Sequence, residues 1–416
     1  MNVKTASGHQ LATARRGRTA VILGSLTALA PLSIDMYLPS LPVIANHLQA
    51  SQSVAQLSIT LCLIGLALGQ LLAGPMSDAR GRRGPLLVGL AVYIIASMVC
   101  AVTPNVWVLI VVRFVQGFAG AAGIVIARAM VRDLYAGPEL TRFFSLLMLV
   151  NGVAPILAPV LGGQLLRVMP WRGVFVVLAI LGVAMFVTVA FALGETLPPE
   201  NRRTGGVRST ISAFGQLVRE RTFMGYALSQ GLVNAAMFGY ISGSPFVLQD
   251  LFGLSPQVFS ICFAINGIGI ILFSRAAGLL VGKVREVLLF RIGVGIACCG
   301  GVALLMSIVL QFGLPGVLPT LFLVVSSVGV VGTIGSSLAM QQHAKNAGSA
   351  AALIGVAQLL LGAIASPLVG LGNHPTALPM GIVIAICDVG SVLAYVLLVL
   401  RGKRAVRGLG AMDGQG

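Results

Sequence analysis

The chain has 416 residues, of which 57% are hydrophobic and only 9% charged, with a mean hydropathy of +0.98. A soluble domain carries about 25% charged residues, so this composition excludes an ordinary soluble fold. The net charge of +16 does not indicate nucleic acid, because the basic residues fall in the segments between apolar runs and nearly all on one side of them.

Apolar runs of about 20 residues, enough to cross a hydrocarbon core of about 30 Å, recur about twelve times. They begin near Ala20, Val54, Leu86, Val106, Phe143, Val174, Phe223, Val258, Val287, Leu314, Ala350 and Ala377. The expected class is an all-α membrane protein in contact with lipid. With an inside N-terminus, nearly all of the 27 Lys and Arg lie on the inside; only Arg167 and Arg172 lie outside, and Arg113 lies within a span. This is the positive-inside pattern, and it places both termini in the cytoplasm. The polar stretch Glu195–Arg221 separates six spans from six. The expected organisation is therefore a bundle over 1–194, a cytoplasmic linker over 195–222 and a bundle with a tail over 223–416. Ile211, Phe214, Leu217 and Val218 have helical spacing, which fits a helix on the membrane surface as well as a plain tether. Six plus six spans suggest duplication, with a substrate site near the midplane between the halves.

The first run is too long for a signal peptide and contains Asp35, so it reads as a permanent span. Asp35, Arg113 and Asp388 each interrupt an apolar run. A charge at the centre of a spanning helix costs about 2.5–3.5 kcal/mol, and such residues face a bundle interior or a cavity. After the second span comes Gly74-Pro-Met-Ser-Asp78-Ala-Arg80-Gly81-Arg82-Arg83. Gly74 and Gly81 suit a tight turn, and Asp78 suits a helix cap or a pair with an Arg. The fourth span carries Arg113, Gln116 and Gly117, and a buried guanidinium demands acceptors. The fifth carries Asn151-Gly152-Val-Ala-Pro155-Ile-Leu-Ala-Pro159-Val-Leu-Gly162-Gly163, where two prolines permit a bend. The cysteines sit within spans and form no C-x-x-C, so neither metal nor disulfide is expected. No nucleophile–base constellation appears, so an enzyme is not expected.

These motifs resemble those of the major facilitator superfamily. G-x-x-x-D-x-x-G-R-R after the second span is similar to its signature loop, with Gly74, Asp78, Gly81, Arg82 and Arg83 as a conformational motif. Arg113-x-x-Gln116-Gly117 is similar to its proton-coupling motif, and the run Gly152, Pro155, Pro159, Gly162, Gly163 to the antiporter motif of its drug-exporting branches. Pro31–Pro42, Arg132-Asp133-Leu134-Tyr135 and Gly194-Glu195-Thr196-Leu197-Pro198-Pro199-Glu200 resemble the Bcr/CflA branch of drug:proton antiporters.

The resemblance implies twelve helices in two six-helix halves, usually monomeric, in the bacterial inner membrane. It implies export of small amphipathic drugs, with protons as the coupling ion, no other cofactor and no metal. Asp35 would bind proton and drug in alternation, tuned by Arg113. Residue type adds Met36, Tyr37, Asn151, Asn234, Met237, Phe238, Tyr240, Asn266 and Asp388 as substrate contacts. A metabolite or amino-acid exporter on the same fold is the alternative, and a membrane scaffold that transports nothing is a third reading.

Overall fold

The computed structural model describes residues 19, 21–202, 214–341, 347–371 and 376–400. Among these, 12 helices are long and apolar enough to cross a membrane. They are α1 (Val21–His47), α2 (Gln52–Arg80), α3 (Arg83–Val102), α4 (Val106–Leu134), α5 (Arg142–Val168), α6 (Arg172–Ala192), α7 (Arg221–Leu251), α8 (Pro256–Leu280), α9 (Glu286–Val309), α10 (Gly313–Met340), α11 (Ala350–Leu368) and α12 (Leu378–Leu400). In lipid every backbone group must be satisfied within the protein, and a helix does this within its own segment. The exposed ends use side-chain caps. Ser51 accepts from Val54 N at the start of α2, Asn105 from Trp107 N at the start of α4, and Ser255 from Val258 N at the start of α8.

The packing repeats with an offset of six helices. In the first half α2 lies along α4, and α3 along α4 and α6; in the second α8 lies along α10, and α9 along α10 and α12. Between the halves α2 packs on α11 and α5 on α8, a pair of contacts that the same offset exchanges. The tight crossings rest on glycine. A Cβ on Gly117 of α4 would overlap Cys62 O of α2, and one on Gly329 of α10 would overlap Ile270 O of α8. Small residues at such points let helix backbones touch.

The buried core is shared at one end of the molecule and divided at the other. At the end remote from Val21, here called the far end, one cluster joins both halves, with Tyr37, Leu41 and Phe175 beside Tyr240, Phe246 and Phe259. At the near end each half keeps its own cluster. Leu23, Leu86, Met130 and Val189 form one, and Phe223, Phe290, Ile334 and Tyr395 form the other. The halves thus meet at the far end and part toward the near end.

Two expectations need adjusting. Gly74 is not in the turn after α2, because the helix runs on through Pro75 to Arg80 and only Gly81, at φ 90°, makes the turn. Pro75 has no N–H to donate to the carbonyl four residues back, so one rung of the ladder is missing there while the helix continues. Of the linker, residues 203–213, including Ile211, lie outside the described residues; 214–219 are helical, with Leu217 buried in the second near-end cluster.

Candidate functional site

The site begins with a break in α1. The helix over 21–35 ends at Asp35, a turn follows at Met36 and Tyr37, and the chain resumes as a 3-10 turn Leu38–Ser40 and a helix Leu41–His47. Pro39 and Pro42 stand at the starts of these segments, where their missing N–H groups interrupt the ladder at no further loss. Ser40 Oγ donates to the carbonyl of Tyr37 at 2.6 Å, satisfying one freed acceptor. The carbonyl of Met36 packs on Gly162 of α5, where any Cβ would overlap it. Two motif glycines of α5 have such partners. Gly163 faces Ser260 and Pro256 of α8, whereas Gly152 faces open space.

Asp35 is 5% exposed. It forms no ion pair and no hydrogen bond among the described residues. It lies within electrostatic reach of Cys62 on α2 and of Tyr240 on α7, and so at the seam between the halves.

Arg113 does not pair with Asp35. It is wholly buried, and its Nη1 donates to Gln116 Oε1 at 2.6 Å. Its guanidinium lies 4.4 Å from the centroid of the Tyr37 ring and 5.8 Å from that of Phe175. Gln116 Nε2 in turn donates to Ser97 Oγ at 2.8 Å, and Ser97 Oγ to Tyr93 O at 2.8 Å. Nε and Nη2 of Arg113 have no partner. The cation is held by an amide and two aromatic faces in place of a carboxylate.

The other expected contacts divide into four groups. Tyr240 and Asn266 come together across α7 and α8, with Asn266 Nδ2 donating to the Tyr240 hydroxyl at 2.9 Å, and the Tyr240 ring stacks on Phe263. Of these two, Tyr240 lies within electrostatic reach of Asp35. Met36 and Tyr37 are buried in the packing at the break, and the Tyr37 hydroxyl is bonded to Ser58 Oγ at 2.9 Å. Asn151 and Asn234 bond back to their own helices, at Leu147 O and Gln230 O. Met237 is half-buried against the shared core, and Phe238 packs over Gly362 of α11.

Asp388 stands apart. It is fully buried between α12 and α9, where a Cβ on Gly301 would come 2.7 Å from its Oδ2, and neither oxygen has a partner. The helices that α9 and α12 pack against belong to the second half, so the structure does not bring Asp388 to Asp35.

At the near end the loop after α2 is tied to its own half. Arg82 bonds Asp78 through Nη1 and Asp133 on α4 through Nε. Burial opposes the charge of Arg82, but the carboxylates of Asp133 and Asp78 outweigh it, so this guanidinium holds its proton more tightly than usual. Glu195, just beyond α6, accepts from the backbone N–H groups of Arg82, Arg83, Thr196 and Leu197. Its partial burial favours the neutral acid, yet these four donors hold its carboxyl below the usual range. The grip of Glu195 on the loop was not foreseen; an acid next to prolines gives no sign that a loop 112 residues earlier will offer it N–H groups.

At the far end, among the described residues, three hydrogen bonds join the halves. Ser53 Oγ donates to Gly370 O, Gln56 Nε2 to Ser242 O at 3.0 Å, and Gln257 Nε2 to Gly163 O at 2.8 Å. Ser53 and Gln257 hold the same place, the second residue of α2 and of α8.

The model of the Major Facilitator Superfamily matches residues 23–367. The chain is 45% identical over 378 residues to the MFS-type transporter YdgK of Bacillus subtilis (strain 168), covering 90% of this chain and 94% of that protein. It is 31% identical over 384 residues to the bicyclomycin resistance protein homolog of Haemophilus influenzae, covering 92% and 96%. A solved variant of the nucleoside transporter NupG shares the fold, with a TM-score of 0.75 at 14% identity over 92% of this chain and 99% of that one.

Proposed function

Because the chain belongs to the major facilitator superfamily, a family of transporters and not of enzymes, we propose that it exports small amphipathic drugs across the bacterial inner membrane in exchange for protons. The observation that carries this reading is Asp35, a buried acid with no cation and no hydrogen-bond partner, at the seam between the halves. An ionised carboxylate left uncompensated in such surroundings is strongly unfavourable. A proton or a polar group of the cargo relieves it, and one occupant excludes the other. The name of the bicyclomycin resistance relative supports a drug as cargo, and the glycine-and-proline run of α5 supports export.

With the basic loops in the cytoplasm, the near end, where each half keeps its own core, faces inward. Cargo enters, displaces the proton from Asp35, and the halves rock to open the far end. An external proton then takes Asp35, weakens the hold on cargo and lets the carrier return. The membrane potential adds about 2.3 kcal/mol per 100 mV for each charge carried inward. Arg113 acts through Tyr37: the cation–π contact fixes the turn that follows Asp35, and rearrangement of that turn changes the surroundings of the acid.

The test is drug-dependent proton release from purified carrier. Asp35→Asn should leave the melting temperature within a few degrees of wild type and abolish that release. Undiminished release in the variant removes Asp35 from the mechanism.

A further inference from the structure

We propose that Asp388 is a second proton-binding site, in which a carboxyl of the second half keeps its proton at neutral pH and pairs with the hydroxyl of Ser391. The site is separate from Asp35, and the proposal does not depend on the role given to that residue.

Asp388 and Ser391 lie three residues apart on α12, so their side chains are neighbours on the helix. Both residues are fully buried, and Oδ1 and Oδ2 of Asp388 and Oγ of Ser391 have no hydrogen-bond partner. Buried polar groups are nearly always paired, so three unpaired atoms within one turn call for a common explanation. A proton on the carboxyl supplies it, because a protonated acid can donate where an ionised one only accepts. At about 1.5 Å per residue Asp388 lies about 15 Å from the far-end start of α12 and about 18 Å from its near end. That is the middle of a hydrocarbon core of about 30 Å.

The surroundings decide the charge state. α9 closes over the carboxyl, where a Cβ on Gly301 would come 2.7 Å from Oδ2 and 3.2 Å from the Cβ of Asp388. α7 reaches the same turn, but its Ser229 hydroxyl is spent on the carbonyl of Ser391 at 2.6 Å. Among the described residues, the ionisable groups within electrostatic reach of Asp388 are the thiols Cys298 of α9 and Cys387 of α12, which bring no positive charge. The cation of α9, Arg291, is about 15 Å along the helix from Gly301, and its Nε donates to the Tyr395 hydroxyl at 2.9 Å. The acid of α9, Glu286, is bonded to Ser337 and Gln341 of α10. The charged residues of α7, Arg221 and Asp250, lie about 12 Å and about 30 Å along that helix from Ser229, and α11 carries no charged side chain. A carboxylate with neither a cation nor a set of donors is strongly unfavourable at this depth, and such a group takes a proton instead. Because α7, α9 and α12 belong to one half, rocking of the halves leaves these neighbours in place. The proton of Asp388 is therefore a resident one, which the proposed cycle does not exchange.

The test is isotope-edited infrared spectroscopy of the full-length carrier in lipid nanodiscs, with carbon-13 in the side-chain carboxyl of aspartate. In neutral solution the wild type should show a labelled carboxylic-acid C=O band that Asp388→Asn lacks. Asp388→Glu keeps an acid but leaves the labelled set, so it should lose the same band; it serves if the asparagine variant fails to fold. The band should keep its area from mildly acidic to mildly alkaline solution. Ser391→Ala should keep the band and move it to higher frequency, the signature of a lost hydrogen bond. Loss of a labelled ionised-carboxylate band from the variants, in place of the acid band, overturns the proposal. So does disappearance of the acid band within that pH range, or a carboxylate band that moves when sodium replaces potassium, which would give the site to a metal cation. An unmoved band in Ser391→Ala overturns the pairing with Ser391. The Asp35 reading fails separately: undiminished drug-dependent proton release from Asp35→Asn removes Asp35 from the mechanism and leaves the Asp388 band in place.

Discussion

A guanidinium buried without a carboxylate has to be held by other means, and Arg113 uses shape. Its planar fork reaches Gln116 while its faces meet Tyr37 and Phe175. A lysine has the charge but neither the fork nor the flat face. A desolvated cation–π contact is worth about 2 kcal/mol, so Arg113→Lys should slow drug-dependent proton release about thirtyfold while the carrier still folds; stopped-flow pH-indicator traces on wild type and variant measure this. Asp35 and Arg113 were legible in the sequence because a charge within an apolar run is conspicuous whatever its neighbours. The surroundings of Tyr37 and Asp388 were not. A spanning helix is apolar on its lipid face and on its packed face alike, so periodicity does not say which neighbour a residue meets. Residue type suggested Tyr37 as a ligand contact but gave no sign that its ring would cover Arg113, and nothing local to Asp388 pointed to Gly301 of α9 as its neighbour.

At the scale of the element, the loop between α2 and α3 shows what ties a short turn in place. Its geometry needs Gly81 at positive φ, and its backbone N–H groups are gathered by Glu195. The carboxyl of Glu195 is held below its usual range in the folded chain. A depressed acid contributes stability above its unfolded value, about 4.3 for glutamate, and that contribution is lost as pH falls through the folded value. The melting temperature of Glu195→Gln should therefore lie below wild type at neutral pH, and the gap should close as the solution is acidified below the ordinary glutamate range. A gap independent of pH would mean that the charge of Glu195 is not what holds the loop. The helices themselves were readable from length and hydropathy, and the turn at Gly81 from the residue type. That the helix would pass unbroken through Gly74-Pro75 was not, because a proline near a helix end leaves the local sequence compatible with either outcome.

For the whole molecule, closure of the far end rests on few polar contacts. Ser53, Gln56 and Gln257 reach across the seam to backbone carbonyls. A net hydrogen bond is worth about 1 kcal/mol, or about fivefold in an equilibrium. Replacing both Gln56 and Gln257 by leucine should shift the carrier toward the state open at the far end by about tenfold or more. Alkylation of a cysteine placed at Ser53 would read this as faster labelling in the double variant. Six-plus-six architecture was expected from the central polar stretch; which end would be shut was not, since the same residues must serve both states.

The single core at the far end and the paired cores at the near end carry a thermal consequence. In the proposed cycle, rocking would uncover oily surface at one end as it covers oily surface at the other, so the hydration changes would oppose each other. The heat-capacity change of the swing should then be close to zero, unlike that of unfolding. The resting position of such a carrier would drift little between a cold and a warm cell, and a handful of directional bonds would decide where it settles.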